Sequence, residues 1–348
     1  MLTRTECTAL RGLAIVAIVL HNYCHFVSGI VQENEYMFHL QHNDKLWQVL
    51  THPDELLPVH LLSYFGHYGV PVFLFLSGLG LVLKYEAPER EPVSVRRFAR
   101  YNYLKLLRML IVGFVFFIFV DTITPGRFHF HWYNVLAQFS MTINVLPTPD
   151  KIIWPGIYWF FGLMMELYLV YRLLLYRRNS RYVVALVAVC WLLQMACAPA
   201  GDTLNRLRYN FVGGMLPFGA GILTARNAHR LPSLQLSRWL WLLLAVVVSA
   251  VVFAMCFNFH AWLWIPLLIV VGSIAIIRCL PPVLMNVAVW FGSLSAAMFV
   301  AHPIARKLLI VVALRDDVYD GLMLYVVVTI ALSWAVKQVI DHIPAPRL

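Results

Sequence analysis

Arg11, His21 and His25 share one apolar stretch, LRGLAIVAIVLHNYCH, which runs from Leu10 to His25. A cation leads it, nine uncharged small or aliphatic residues follow, and two imidazoles close it four residues apart. An ionisable group in hydrocarbon costs roughly 3 kcal/mol or more, so membrane helices keep such groups where they pair or do chemistry. At ~1.5 Å of rise per residue, Arg11 and His21 stand ~15 Å apart along a helix. One element thus holds a cation near one bilayer face and imidazoles toward the other, which suits a reaction carried out across a membrane. Imidazole, with a reference pKa near 6.5, is the side chain best matched to moving a proton at neutral pH.

Three further groups carry chemistry by type and place. Glu166 is a lone carboxylate inside GIYWFFGLMMELYLVYRLLL; it is either a functional acid or the structural partner of a cation on a neighbouring helix. Arg97, Arg100, Lys105 and Arg108 fall on one helical face of the most basic connection, Lys84–Arg108. Such a face can grip phosphates, although orientation in the membrane and anionic headgroups also account for basic loops. The segment Ser28–His60 gathers His39, His42, His52 and His60 among Glu33, Glu35, Asp44, Asp54 and Glu55. Those spacings match no metal-binding motif, so no metal is expected.

The elements that must position these groups are membrane helices. The chain of 348 residues is 61% hydrophobic and 13% charged, where a soluble domain carries about 25% charged residues, and its mean hydropathy is +0.73. Apolar runs of spanning length recur throughout, and no polar block is long enough for a separate soluble domain. The reading is a single membrane-embedded domain over 1–348, an all-α polytopic bundle. The net charge of +10 resides in the short connections, as the positive-inside rule requires, so nucleic acid is not an expected partner. Six cysteines without paired spacing indicate neither a disulfide framework nor a zinc site.

Ten spans are expected: 9–26, 61–83, 106–122, 155–175, 182–198, 209–224, 240–257, 261–277, one starting near Val287, and 321–340. The first reads as an uncleaved span, because no small-x-small site follows it. Trp132–Val145 reads as a re-entrant or interfacial element, since a crossing there would put the arginines of Tyr176–Arg181 outside. Both termini are then cytoplasmic. Pro303, directly after His302, favours a helix break, and Arg306 and Lys307 then fall on the outer side against the charge trend. Either they line a wet cavity or the boundary lies elsewhere.

Five blocks in order resemble the membrane acyltransferase-3 family of polytopic O-acyltransferases. They are Arg11-Gly12-Leu13-Ala14 leading to His21; Gly69-Val70 through Phe73, Phe75 and Ser77-Gly78; Arg97-Phe98-Ala99-Arg100; Tyr158-Trp159 through Glu166-Leu167-Tyr168; and Phe291-Gly292-Ser293-Leu294-Ser295 through His302-Pro303. One departure stands out. In the family the first-helix histidine usually falls one residue later, and ten steps from Arg11 leave His21 ~80° away around the helix, whereas His25 is ~40° off.

The resemblance implies an inner-membrane enzyme that moves an acyl group, most simply acetyl, from cytoplasmic acyl-CoA to a hydroxyl of a cell-envelope glycan or lipid-linked sugar. It implies His21 as base with His25 as the alternative, Arg11 at the cytoplasmic mouth neutralising the donor or the thioester oxyanion, and Glu166 orienting the imidazole. Arg97 and Arg100, with Lys105 and Arg108, would hold the donor phosphates, and His67 and His302 would line the outer cavity. Membrane lipids and the glycan are the other partners. The competing reading is a proton-coupled transporter or flippase using His21, His67, Glu166 and His302 as a relay. It usually brings an internal repeat, and none is visible here.

Overall fold

A computed structural model describes residues 2–87, 89–230, 236–313 and 317–347, so the middle of the basic connection 226–238 lies outside the described residues. Among the described residues the chain forms helices and no strand. In chain order they are α1 Arg4–Cys24, α2 Leu40–Thr51, α3 Leu57–Phe65, α4 Gly69–Tyr85, α5 Val95–Ile123, α6 Trp132–Phe139, α7 Trp159–Val170, α8 Ser180–Met195, α9 Asp202–Tyr209, α10 Phe211–Arg226, α11 Arg238–Met255, α12 Phe259–Trp262, α13 Ile265–Cys279, α14 Pro282–Ala313 and α15 Val318–His342.

Each expected span falls on a helix, except that 61–83 is shared by α3 and α4. Among the described residues, seven segments are long and apolar enough to cross a membrane: 4–24, 57–85, 95–123, 156–175, 238–255, 282–310 and 318–342. The other three, α8, α10 and α13, have 16, 16 and 15 residues. That is about 22–24 Å of rise, against about 30 Å of hydrocarbon. Helix α6 has only 8 residues, about 12 Å, and is too short to cross.

Local sequence sets the boundaries. Thr3 and Glu6 form a reciprocal cap at the start of α1: the Glu6 N–H donates to Thr3 Oγ1 and the Thr3 N–H to Glu6 Oε2. This satisfies two otherwise orphaned backbone donors. Ser94, Ser237 and Asp317 cap α5, α11 and α15 one-way, their side-chain oxygens accepting from first-turn N–H groups. Between α3 and α4 the chain tightens into a 3-10 turn at Gly66–Tyr68. Pro71, three residues into α4, has no N–H to donate back to the His67 carbonyl, so the regular ladder cannot run through this point.

Apolar side chains of α5, α11 and α15 point outward, among them Val115, Phe119, Leu243, Val246, Met323 and Val327. In water such a surface would be a large hydrophobic liability; against lipid it is the expected one. α1 is largely buried among its neighbours. It packs on α14, on α3 and α4, and on α13.

Ion pairs and hydrogen bonds gather helix ends at one end of the bundle. Glu6 of α1 pairs with Arg278 of α13 at 2.8 Å. Arg226 at the end of α10 grips Glu86, just past α4, through Nε at 2.8 Å and Nη2 at 2.7 Å. Arg108 of α5 donates to the Ile343 carbonyl just past α15. The start of α1 and the end of α15 therefore share one end of the molecule. Contrary to the expected break, α14 runs on through Pro303 to Ala313. Arg306 and Lys307 thus remain helical and are carried inward: Arg306 is buried, and Lys307 pairs with Asp121 at 2.9 Å.

Candidate active site

One face of α1 forms the spine of the site. With Arg11 at zero and ~100° per residue, Ile18, Asn22 and His25 lie within ~40° and His21 lies at ~80°. All five line a single cavity of about 910 Å³. The short spacing from Arg11 to His21 needs no change of helix register, because the cavity wraps around the helix and reaches both imidazoles.

Each imidazole is oriented by a different partner. His21 Nδ1 is 2.7 Å from the carbonyl oxygen of Ser63, in the last turns of α3. A carbonyl only accepts, so Nδ1 carries the proton and Nε2 keeps its lone pair. His25 Nδ1 is 2.7 Å from Glu33 Oε2, and the same logic leaves its Nε2 as a base. The two rings lie 5.4 Å apart, and His67 lies 5.7 Å from His21.

Glu33 reaches His25 because the chain after α1 doubles back. The reversal passes through Gly29, whose φ of +79° is left-handed and strained for any side chain. The returning strand of chain is pinned to α3: Val31 N–H donates to His60 Nδ1 at 3.1 Å, and Ser63 Oγ donates to the Val31 carbonyl at 2.6 Å. Burial alone would raise the Glu33 carboxyl. The hydrogen bond from His25 and the surrounding imidazoles outweigh it and hold the group at about 2. Glu33 is therefore a fixed anion beside two bases.

The cavity has two unlike ends. Arg11, Lys84, Tyr101 and Lys105 line it at the end where the chain termini lie, with the Lys84 ammonium 3.9 Å from the centre of the Tyr101 ring. Its middle is apolar, with Val70, Phe73, Leu76, Met109, Met164 and Phe299. The far end carries Glu33, Glu35, Asp150, Asp202 and Lys151 beside Tyr36, Tyr209 and Trp159. There Tyr36 and Tyr209 stack at 3.9 Å, and Trp159 meets both edge-on. Burial, reinforced by the charge of Glu33, pushes the Glu35 carboxyl up to about 8.

The structure brings together Arg11, His21, His25, His67 and Lys105, all of which line the cavity. It does not bring Glu166 to the imidazoles. That carboxylate accepts from the Phe211 N–H at 2.9 Å and so caps the first turn of α10, outside the cavity wall. Arg97 and Arg100 are exposed on α5 beyond the cavity. Arg108 is turned to the Ile343 carbonyl. The four basic residues spread over an arc of ~140°, and only the Lys105 side of it faces inward. His302 also leaves the set: its Nδ1 lies 2.9 Å from the Met298 carbonyl of its own helix, away from the cavity lining.

Sequence reasoning named neither Glu33 as the partner of His25 nor Lys84 as a lining cation. The charge anomaly at Arg306 was a usable signal, since that residue does line the cavity. His21, His25 and Glu33 also bring one ligand atom each within 4.8 Å of one another, a grouping that can hold a metal ion. It joins a helix to a returning loop, so residue spacing does not reveal it.

Residues 6–337 match the family model described as an acyltransferase domain. No curated protein and no solved structure matches the chain.

Proposed function

The chain belongs to the membrane acyltransferase-3 family, and on that premise we propose that it moves an acyl group, most simply acetyl, from cytoplasmic acyl-CoA to a hydroxyl of a cell-envelope glycan or lipid-linked sugar. The observation that carries this reading is the polarity of the cavity: cations at one end, imidazoles beyond an apolar middle, carboxylates and aromatic rings at the other end. In this reading the ten helices cross the inner membrane with both termini in the cytoplasm. Arg11, Lys84 and Lys105 receive the donor phosphates, with Arg97 and Arg100 outside the mouth on the approach. Guanidinium and ammonium groups suit that role. The apolar middle takes the pantetheine arm and the acyl group. The aromatic and acidic end takes a neutral polyhydroxyl acceptor, whose hydroxyls find acceptors and whose ring faces find aromatic surfaces.

The chemistry falls to the imidazoles. His21 Nε2 removes the proton of the acceptor hydroxyl as its oxygen attacks the thioester carbon. The Glu33 carboxylate stabilises the positive charge that forms on the imidazole pair, as the third member of a triad does. His25, fixed by Glu33, is the second base within reach. Collapse of the intermediate breaks the C–S bond, and the CoA thiolate takes the proton back from the imidazolium.

The test uses purified protein in detergent with acetyl-CoA, following binding and slow hydrolysis by water. The histidine whose alanine variant keeps binding and loses turnover is the base, and His21→Ala is expected to do so. If the wild type neither binds nor hydrolyses any short acyl-CoA, the donor assignment is wrong, and a proton-coupled transporter becomes the better account of the same intramembrane groups.

A further inference from the structure

Arg306 is a buried guanidinium with no carboxylate partner among the described residues. Its Nη1 donates to the side-chain and backbone oxygens of Asn22, at 3.0 and 3.3 Å. Its remaining N–H groups make no hydrogen bond to the described residues, yet they are not among the sealed, unsatisfied atoms. The residue lines the cavity, so those groups face it. The guanidinium lies 3.9 Å from the centre of the Phe26 ring and 5.4 Å from that of Trp154. Aromatic faces hold a cation in place without neutralising it. An arginine held this deep at such cost calls for an anion in the cavity. Asn22 immediately follows His21 on α1, so the charge is displayed at the level of the imidazoles. Arg11 stands ten residues, ~15 Å, lower on the same helix and cannot serve that point.

We propose that Arg306 is a catalytic residue that stabilises the tetrahedral oxyanion of acyl transfer. This rests on the acyl-transfer reading above. When the acceptor oxygen bonds to the thioester carbon, its proton passes to imidazole and the carbonyl π pair moves onto oxygen, placing a full negative charge there. The free N–H edge of Arg306 receives that oxygen. When the C=O re-forms, the C–S bond breaks and the thiolate leaves with the imidazolium proton. The charge exists only in the intermediate and its flanking transition states. A group matched to it therefore raises kcat and leaves donor binding nearly untouched.

The experiment measures acetyl-CoA hydrolysis and acetyl-CoA affinity for wild type, R306Q, R306K and R306A, with water as the acceptor. R306Q keeps a donor for Asn22 and removes the charge; kcat should fall about 10²–10³-fold, with affinity within about threefold of wild type. R306K restores the charge and should regain part of the loss. Added methylguanidinium should restore turnover to R306A in a saturable manner. Wild-type kcat in R306Q overturns the proposal while leaving the family reading intact, provided that His21→Ala is inactive. A loss in R306A that follows falling thermal stability, is absent from R306Q and resists methylguanidinium reduces Arg306 to a packing residue. A wild type that neither binds nor hydrolyses acetyl-CoA removes the acyl-transfer reading and this inference together.

Discussion

Gly66 sits in the 3-10 turn between α3 and α4, directly against α1, and its substitution tests how closely the site depends on that contact. A Cβ built there would stand 2.5 Å from His21 Cβ and 2.7 Å from the Ala17 carbonyl oxygen. Ordinary carbon contacts need about 3.5–4.0 Å, so α1 and the turn must separate by about 1 Å. The backbone itself raises no objection, because Gly66 has φ −67° and ψ −27°, which any residue adopts. Were the turn a loose hinge, Gly66→Ala would stabilise it through lower chain entropy, by about 0.4–1 kcal/mol. The contact predicts the opposite, an overpacking cost of about 1–3 kcal/mol. It also carries His21 away from the reacting carbon by a displacement that typically costs about 10²-fold in rate. The donor phosphates bind at the cationic end of the cavity in the proposed reaction, away from His21, so KM for acetyl-CoA should change little. The assay is acetyl-CoA hydrolysis by purified Gly66→Ala with a thermal melt on the same sample. Unchanged kcat together with a raised Tm would refute the argument.

The other predictions follow from where the structure puts each side chain. Glu166→Ala should destabilise the protein by about 1–2 kcal/mol, because it uncaps α10, yet reduce turnover per folded molecule less than Glu33→Ala does; the reverse order would return Glu166 to the imidazoles. Lys84→Ala combined with Lys105→Ala should raise KM for acetyl-CoA about 10–100-fold, a larger effect than Arg97→Ala with Arg100→Ala, and equal effects would place the phosphates outside the mouth. The Glu35 carboxyl, ordinarily near 4.5, is raised to about 8 in the fold. A raised carboxyl contributes stability that is full below its unfolded value and is lost as pH rises through the folded one. The Tm of the wild type should therefore fall relative to Glu35→Gln between about pH 5 and pH 9, and parallel curves would show that Glu35 is ionised throughout.

The sequence by itself determined the helical membrane architecture and the positions of ten helices, and it read Trp132–Val145 as a re-entrant or interfacial element. These follow from the run length of apolar residues and the placement of basic ones, both local properties. It also determined that Arg11, His21 and His25 lie along one element, because a helix fixes the relation between residues a few turns apart. Tertiary structure alone decided who faces them. Glu33 meets His25 through a reversal at Gly29 and two hydrogen bonds to α3, contacts between segments about 30 residues apart that no periodicity encodes. Glu166 looked catalytic as a lone carboxylate in an apolar run, but a backbone donor from α10 satisfies it. Of the basic face on α5, only Lys105 turned inward, since helical phase relates the four residues to one another and not to the cavity. Arg306 shows the division most clearly. The sequence marked it as a charge in the wrong place, and only the packing of α14 against α1 gave that charge a cavity to face.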